Sequence, residues 1–216
     1  MIKITHIITD LDTGGAENVL ASLVQGLERD PRFCNEVISL QAPGEIAERI
    51  RQAGVPVSSI VMHGNPADLF RLLKLANSLS ASRPDIVQTW MYHADFFGGL
   101  AAAVAHIPIR VWNIRHSTFD AGMSTSTRLL RFLSARLSSI FPTNIVSCAQ
   151  SAAQHHIDLG YTQDKIVIIH NGVDTQRFRP NPEARKEVRS EMGIPPSALV
   201  IGMVSRFHPQ KDHPTF

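Results

Sequence analysis

The amino-acid sequence predicts a doubly wound α/β fold built on a mostly parallel, Rossmann-like sheet of about seven strands. Three observations carry that expectation. Short β-branched runs recur along the chain, each followed by a loop and a stretch with helical spacing. Strands that alternate with helices imply parallel strands joined by right-handed crossovers. The strands are also apolar on both faces, as in Ile166-Val167-Ile168-Ile169, which suits a sheet covered on both sides.

Residues 3–9 read as the first strand. Residues 16–28 follow as a helix, because Ala16, Val19, Leu20, Leu23, Val24 and Leu27 share one face. Strand 36–40 precedes helix 45–53. Strand 55–61 leads into helix 66–79, with Asn65 as cap and Pro66 at the first helical position. Strand 85–89 precedes an Ala-rich helix at 95–105, and strand 109–114 a helix from about 126 to 140. Strand 144–147 precedes helix 151–159, and strand 165–169 closes the series. The first domain is thus expected over residues 1–179. Beyond it, Pro180-Asn181-Pro182 and Pro195-Pro196 bracket a charged segment, read as a linker over 180–198 with a short helix at 183–192. Residues 199–204 read as a fresh buried strand. Residues 199–216 are expected to be the truncated start of a second α/β domain.

Composition narrows the function classes. Hydrophobic residues make up 44% of the 216 and charged residues 19%, ordinary globular usage that argues against disorder. Cys34 and Cys148 are the only cysteines, so no disulfide framework is expected and a reducing cytosol fits. A net charge of +2 predicts no general affinity for nucleic acid. The start, Met1-Ile2-Lys3-Ile4, lacks a signal peptide's apolar stretch, and no run approaches a membrane span. A cytoplasmic protein is expected. Between Arg110 and Phe141, however, five arginines face a single acid, Asp120, and Leu129, Leu130, Leu133, Leu137, Ile140 and Phe141 form a helical stripe. Such a helix can lie on anionic lipid at the inner face of the membrane, or pack its stripe on the sheet.

In a doubly wound sheet, ligands sit outside the carboxyl ends of the strands. The first loop there holds Asp10, Asp12, Gly14, Gly15 and Glu17. Two glycines at a helix entry let a ligand approach free N–H groups, or serve a turn that needs positive φ. Neither G-x-G-x-x-G nor G-x-x-x-x-G-K-[ST] is present, so a dinucleotide fold and a P-loop kinase lose support. Asp10 and Asp12 have the spacing of a metal pair but no third ligand nearby in sequence, and no metal is expected. The second loop, 90–95, offers His93 and Asp95; the third, 115–117, offers His116. Histidine there can donate to a sugar hydroxyl or a developing oxyanion, or be satisfied by backbone. No C-x-x-C or H-E-x-x-H spacing suggests zinc. Asn171-Gly172-Val173-Asp174 with Phe178 reads as a turn and linker anchor. Arg206 and Lys211, five apart after residues 199–204, suit a diphosphate or form a solvated turn.

Together these residues resemble the retaining glycosyltransferases of family 4, which have the two-domain GT-B fold. The matching pieces are Gly14-Gly15-Ala16-Glu17, then Asn171-Gly172-Val173-Asp174 with Phe178, then Arg206 with Lys211. The resemblance implies an N-terminal domain that mainly receives the acceptor and a C-terminal domain that holds a nucleotide-sugar donor. It implies that Gly14 and Gly15 face donor phosphate and acceptor, and that His116, the expected catalytic residue, touches the donor sugar; Glu17, His93, Asp95 and Asn171 are expected to bind substrate with them. Arg206 and Lys211 would neutralise the diphosphate leaving group. No metal cofactor is implied. The acceptor would be a glycan or a lipid-linked glycan. The family's two glutamates, seven residues apart in the second domain, fall past residue 216, so the chain is expected to be inactive alone. Two alternatives remain open: a non-catalytic glycan- or partner-binding module, and a sugar-nucleotide epimerase of related two-domain architecture.

Overall fold

The computed structural model describes residues 1–115, 123–205, 207 and 212–216. The chain divides into two compact units, Met1–Asn171 and Gly172–Phe216. In the first, strands and helices alternate: β1 (Ile2–Ile8), α1 (Gly15–Leu27), β2 (Phe33–Ser39), α2 (Glu45–Gln52), β3 (Val57–Ser59), α3 (Asp68–Ser82), β4 (Ile86–Trp90), α4 (Met91–Val104), β5 (Ile109–Ile114), α5 (Thr125–Leu137), β6 (Asn144–Ser147), α6 (Gln150–Asp158) and β7 (Ile166–Ile168). The strands form one parallel sheet in the order β3-β2-β1-β4-β5-β6-β7. The doubly wound Rossmann-like fold read from the sequence is the observed one.

Successive strand residues point to opposite faces, and each face finds its own helices. Ile7, Ile38 and Val87 pack with Leu75 and Leu79 of α3 and Ala101 of α4. Ile8, Val37 and Trp90 pack with Leu20 and Val24 of α1 and Ile46 and Ile50 of α2. A third cluster joins Trp112, Ile114 and Ile145 to Ala135 of α5 and Ala152 of α6. Each such Leu or Ile stabilises the fold by about 1.5–3 kcal/mol through burial. The small residues of α4 let it lie close on the sheet. A Cβ on Gly99 would stand 2.5 Å from Trp112 Nε1, and one on Gly98 would stand 3.0 Å from Thr89 Cγ2.

Several elements differ from expectation. Helix α3 begins at Asp68 rather than residue 66, because Asn65 Oδ1 accepts from Ala67 N at 3.1 Å inside a preceding turn. The Asp68 carboxylate then accepts from His63 N and Gly64 N, at 3.0 and 2.7 Å. Helix α4 begins at Met91, directly after β4, so the expected loop at 90–95 does not exist. Met91 makes that junction with φ 71°, a left-handed conformation that costs a non-glycine residue about 1–3 kcal/mol. In the second unit one helix, α7 (Pro182–Glu191), forms as expected, capped by Asn181 Oδ1 on Ala184 N at 3.0 Å. Residues 199–204, expected as a buried strand, form none, and Leu199 is 89% exposed. Among the described residues of this unit no strand forms, so residues 199–204 have no ladder partner.

Candidate functional site

The strand order changes direction between β1 and β4, and the crevice outside their carboxyl ends is where such sheets bind ligands. After β1, the Thr9 hydroxyl is buried with no partner. Asp10 Oδ1 accepts from Asp12 N at 3.3 Å, a local turn, and Thr13 Oγ1 donates to Glu45 Oε2 at 2.9 Å, which ties the loop to α2. Among the described residues no three His, Cys, Asp or Glu side chains are grouped as a metal would need.

Gly14 caps α1 with φ −145°, and neither it nor Gly15 takes positive φ. The turn reading of this pair is therefore not the reason for glycine. A Cβ on Gly14 would collide with the carboxylate of Glu17, which folds back over the start of its own helix. Glu17 is buried in that position, the third of the helix, where an acid complements the helix dipole. It is placed to support the loop rather than to reach a ligand. A Cβ on Gly15 would meet nothing, so the space before the helix N-terminus is open. Beside the Glu17 carboxylate, the Gly15 side of the N-terminus is therefore left open, and helix N-termini accommodate anions.

On α4, His93 is half-buried in the first turn. Burial lowers its pKa below the usual histidine value, against the nearby Asp10 charge, so the ring is neutral near pH 7. Asp95 is not on a loop. It is 1% exposed inside α4, where Thr89 Oγ1 donates to its carboxyl at 2.5 Å. A side chain so enclosed cannot contact a substrate, which corrects its assignment as a substrate-binding residue.

At the far strands, Arg115 follows β5. Its Nη1 donates to Asn171 Oδ1 at 2.6 Å and its Nη2 to Asn113 Oδ1 at 3.2 Å, and its guanidinium carbon lies 4.5 Å from the Trp90 ring centre. Asn171, expected to bind substrate, thus orients a cation at the same edge. His116, Arg206 and Lys211 lie outside the described residues. Sequence reasoning assigned no role to Thr9 or Arg115. Position after a strand was the available signal for both; nothing in the sequence marked the Met91 junction, since methionine rarely adopts positive φ.

Beside the switch point runs a groove of about 980 Å³, mostly apolar, lined by Thr9, Leu40, Met62, His93, Phe97 and Leu130 among others. Its rim carries exposed apolar side chains from α3 (Leu69) and α5 (Leu129).

The description Glycosyltransferase Family 4 matches residues 13–177, more than half of the chain. EpsF of Bacillus subtilis (strain 168), provisionally named a glycosyltransferase, is 24% identical over 215 residues, 98% of this chain and 56% of that protein. The UDP-Gal:alpha-D-GlcNAc-diphosphoundecaprenol alpha-1,3-galactosyltransferase of Escherichia coli is 25% identical over 146 residues, 67% of this chain and 38% of the enzyme. The chain therefore spans about half, or less, of the length of these relatives. The crystal structure of Anabaena Alr3699/HepE in complex with UDP and glucose superposes with a TM-score of 0.78 at 19% identity, over 99% of this chain and 56% of that one. That likeness shows a shared fold.

Proposed function

Since the chain belongs to Glycosyltransferase Family 4, we propose that it is the acceptor-side part of an enzyme that transfers a sugar, with retention, from a nucleotide-diphosphate sugar to a lipid-linked glycan. One observation carries the acceptor assignment: the open glycine N-terminus of α1 stands at the β1/β4 switch point beside a mostly apolar groove. The N-terminus suits a phosphate and the groove suits a lipid or sugar face. The name of the Escherichia coli relative supports a diphosphate-linked acceptor. On this reading His116, Arg206 and Lys211 take the roles that the resemblance implies. His116 touches the donor sugar, and the two cations stabilise the diphosphate as it departs, the largest charge that develops. No metal is called for, because side chains supply that neutralisation. The protein works at the cytoplasmic face, peripheral to an anionic membrane; among the described residues no helix is long and apolar enough to cross one.

Calorimetric titration tests the assignment. A short-chain GlcNAc-diphospho-polyprenol should bind this chain, and UDP-galactose should bind at least tenfold more weakly. The chain alone should transfer no sugar. Tighter binding of the nucleotide sugar than of the acceptor would place the donor on this half and overturn the reading.

A further inference from the structure

We propose that Arg115 is an anion-binding residue of the first unit, whose guanidinium, laid on Trp90 and held by Asn113 and Asn171, takes a diphosphate group. Both hydrogen-bond partners are neutral amide oxygens. A guanidinium has five N–H donors, so among the described residues these two bonds leave three unused and the charge uncompensated. The Nε is buried with no acceptor. Among the described residues no carboxylate lies within ion-pair distance. The acidic groups whose charge reaches Arg115 are Cys148 and, less strongly, Asp95, and burial pushes the Asp95 carboxyl up to about 8, so it is mostly protonated near neutrality. Desolvation accordingly lowers the Arg115 pKa from the usual arginine value. A half-buried cation with no counter-ion is unfavourable unless an anion arrives.

The geometry also favours a phosphate over a simple halide. The fork is fixed at two corners by asparagine oxygens and on one face by the indole, so its donors are oriented before a ligand binds. A planar, pre-oriented guanidinium matches paired phosphate oxygens. Arg115 stands at the carboxyl edge of β5, on the ligand side of the sheet. The proposal rests on the glycosyltransferase reading only for the source of the diphosphate, which is either the nucleotide donor or the lipid acceptor.

Calorimetric titration of the chain with inorganic pyrophosphate is the test, run beside tryptophan emission. Trp90 and Trp112 are the only indoles, and only Trp90 carries the Arg115 guanidinium. Saturable binding is expected, with an emission change at the same midpoint. Charge-assisted hydrogen bonds are worth about 10–100-fold in affinity, so Arg115→Gln should weaken binding at least tenfold. Asn171→Ala, at an exposed position, keeps the test open should Arg115→Gln fail to fold; it should weaken pyrophosphate binding with an unchanged urea midpoint. No saturable binding, equal affinity in parent and variants, or an equal response to sodium chloride of the same ionic strength would overturn the site. UDP binding tighter than pyrophosphate would assign the diphosphate to the donor, and farnesyl diphosphate binding tighter would assign it to the acceptor. Loss of the pyrophosphate site leaves the acceptor titration to stand or fall by itself.

Discussion

Asp95 and His6 are both fully enclosed by protein, and burial acts on them in opposite senses. It pushes the Asp95 carboxyl up to about 8, and it pushes the His6 imidazole down to about 4 despite the hydrogen bond to Asn35. An unfolded chain titrates these groups near ~3.9 and ~6.5. Between about pH 4 and 8 the folded state therefore holds a proton on Asp95 that the unfolded state has lost, and stability falls as pH rises. Between about pH 6.5 and 4 the unfolded state binds a proton at His6 that the folded state refuses, and stability falls as pH drops. The two slopes cancel below about pH 6.5, which leaves Asp95 to act alone above it. From pH 6.5 to 8 the chain should lose about 2 kcal/mol of stability. Asp95→Asn, which still accepts from Thr89, should flatten that stretch in urea titrations at the two pH values. An equal loss in the variant would show that another group is responsible.

Helices α3 and α5 flank the groove with side chains that the sheet does not cover. Phe70 is 75% exposed and Phe132 54%, while Ser134 and Ala135 are the buried residues of α5. The stripe read from the sequence is therefore only partly packed: Leu130, Leu133 and Leu137 are half-buried, and Leu129 and Ile140 face water. Helix periodicity cannot separate these cases, because the same spacing serves a sheet or a lipid surface. Arg128 and Arg136 lie exposed on the same helix, and Arg136 sits over the Phe132 ring at 5.2 Å. The chain should float with vesicles containing anionic lipid and less with neutral vesicles. Leu129→Ser with Phe132→Ser should reduce the recovery. Equal recovery with both vesicle types would remove the membrane contact.

At the scale of the whole chain, the first unit closes its own core and the second does not. Unit one carries three clusters of buried apolar residues; in unit two, residues 172–181 and most of 199–204 are exposed. Stability should therefore be uneven along the chain. Limited trypsin digestion should cut first at the exposed Arg177, Arg185 and Lys186, leaving a core that ends just past Asn171. Earlier cleavage within the strands and helices of residues 1–171 would contradict that order.

The linear pattern alone determined the class of fold and the number of strands. β-branched runs and helical stripes are local signals, and a chain that alternates them has few ways to bury both faces of its strands. The Gly14-Gly15 entry to α1 was legible for the same reason. What the pattern did not contain was which side chains meet across the sheet. Asp95 and Glu17 read as ligand-facing acids, yet one is enclosed against Thr89 and the other folds over Gly14. Arg115, Trp90, Asn113 and Asn171 come from the ends of β4 and β5 and the edge after β7, up to 81 residues apart, and only the parallel register of β4 and β5 sets Trp90 beside Asn113. Tertiary structure decided that grouping, because burial and distance depend on strand order, and no local signal encodes strand order.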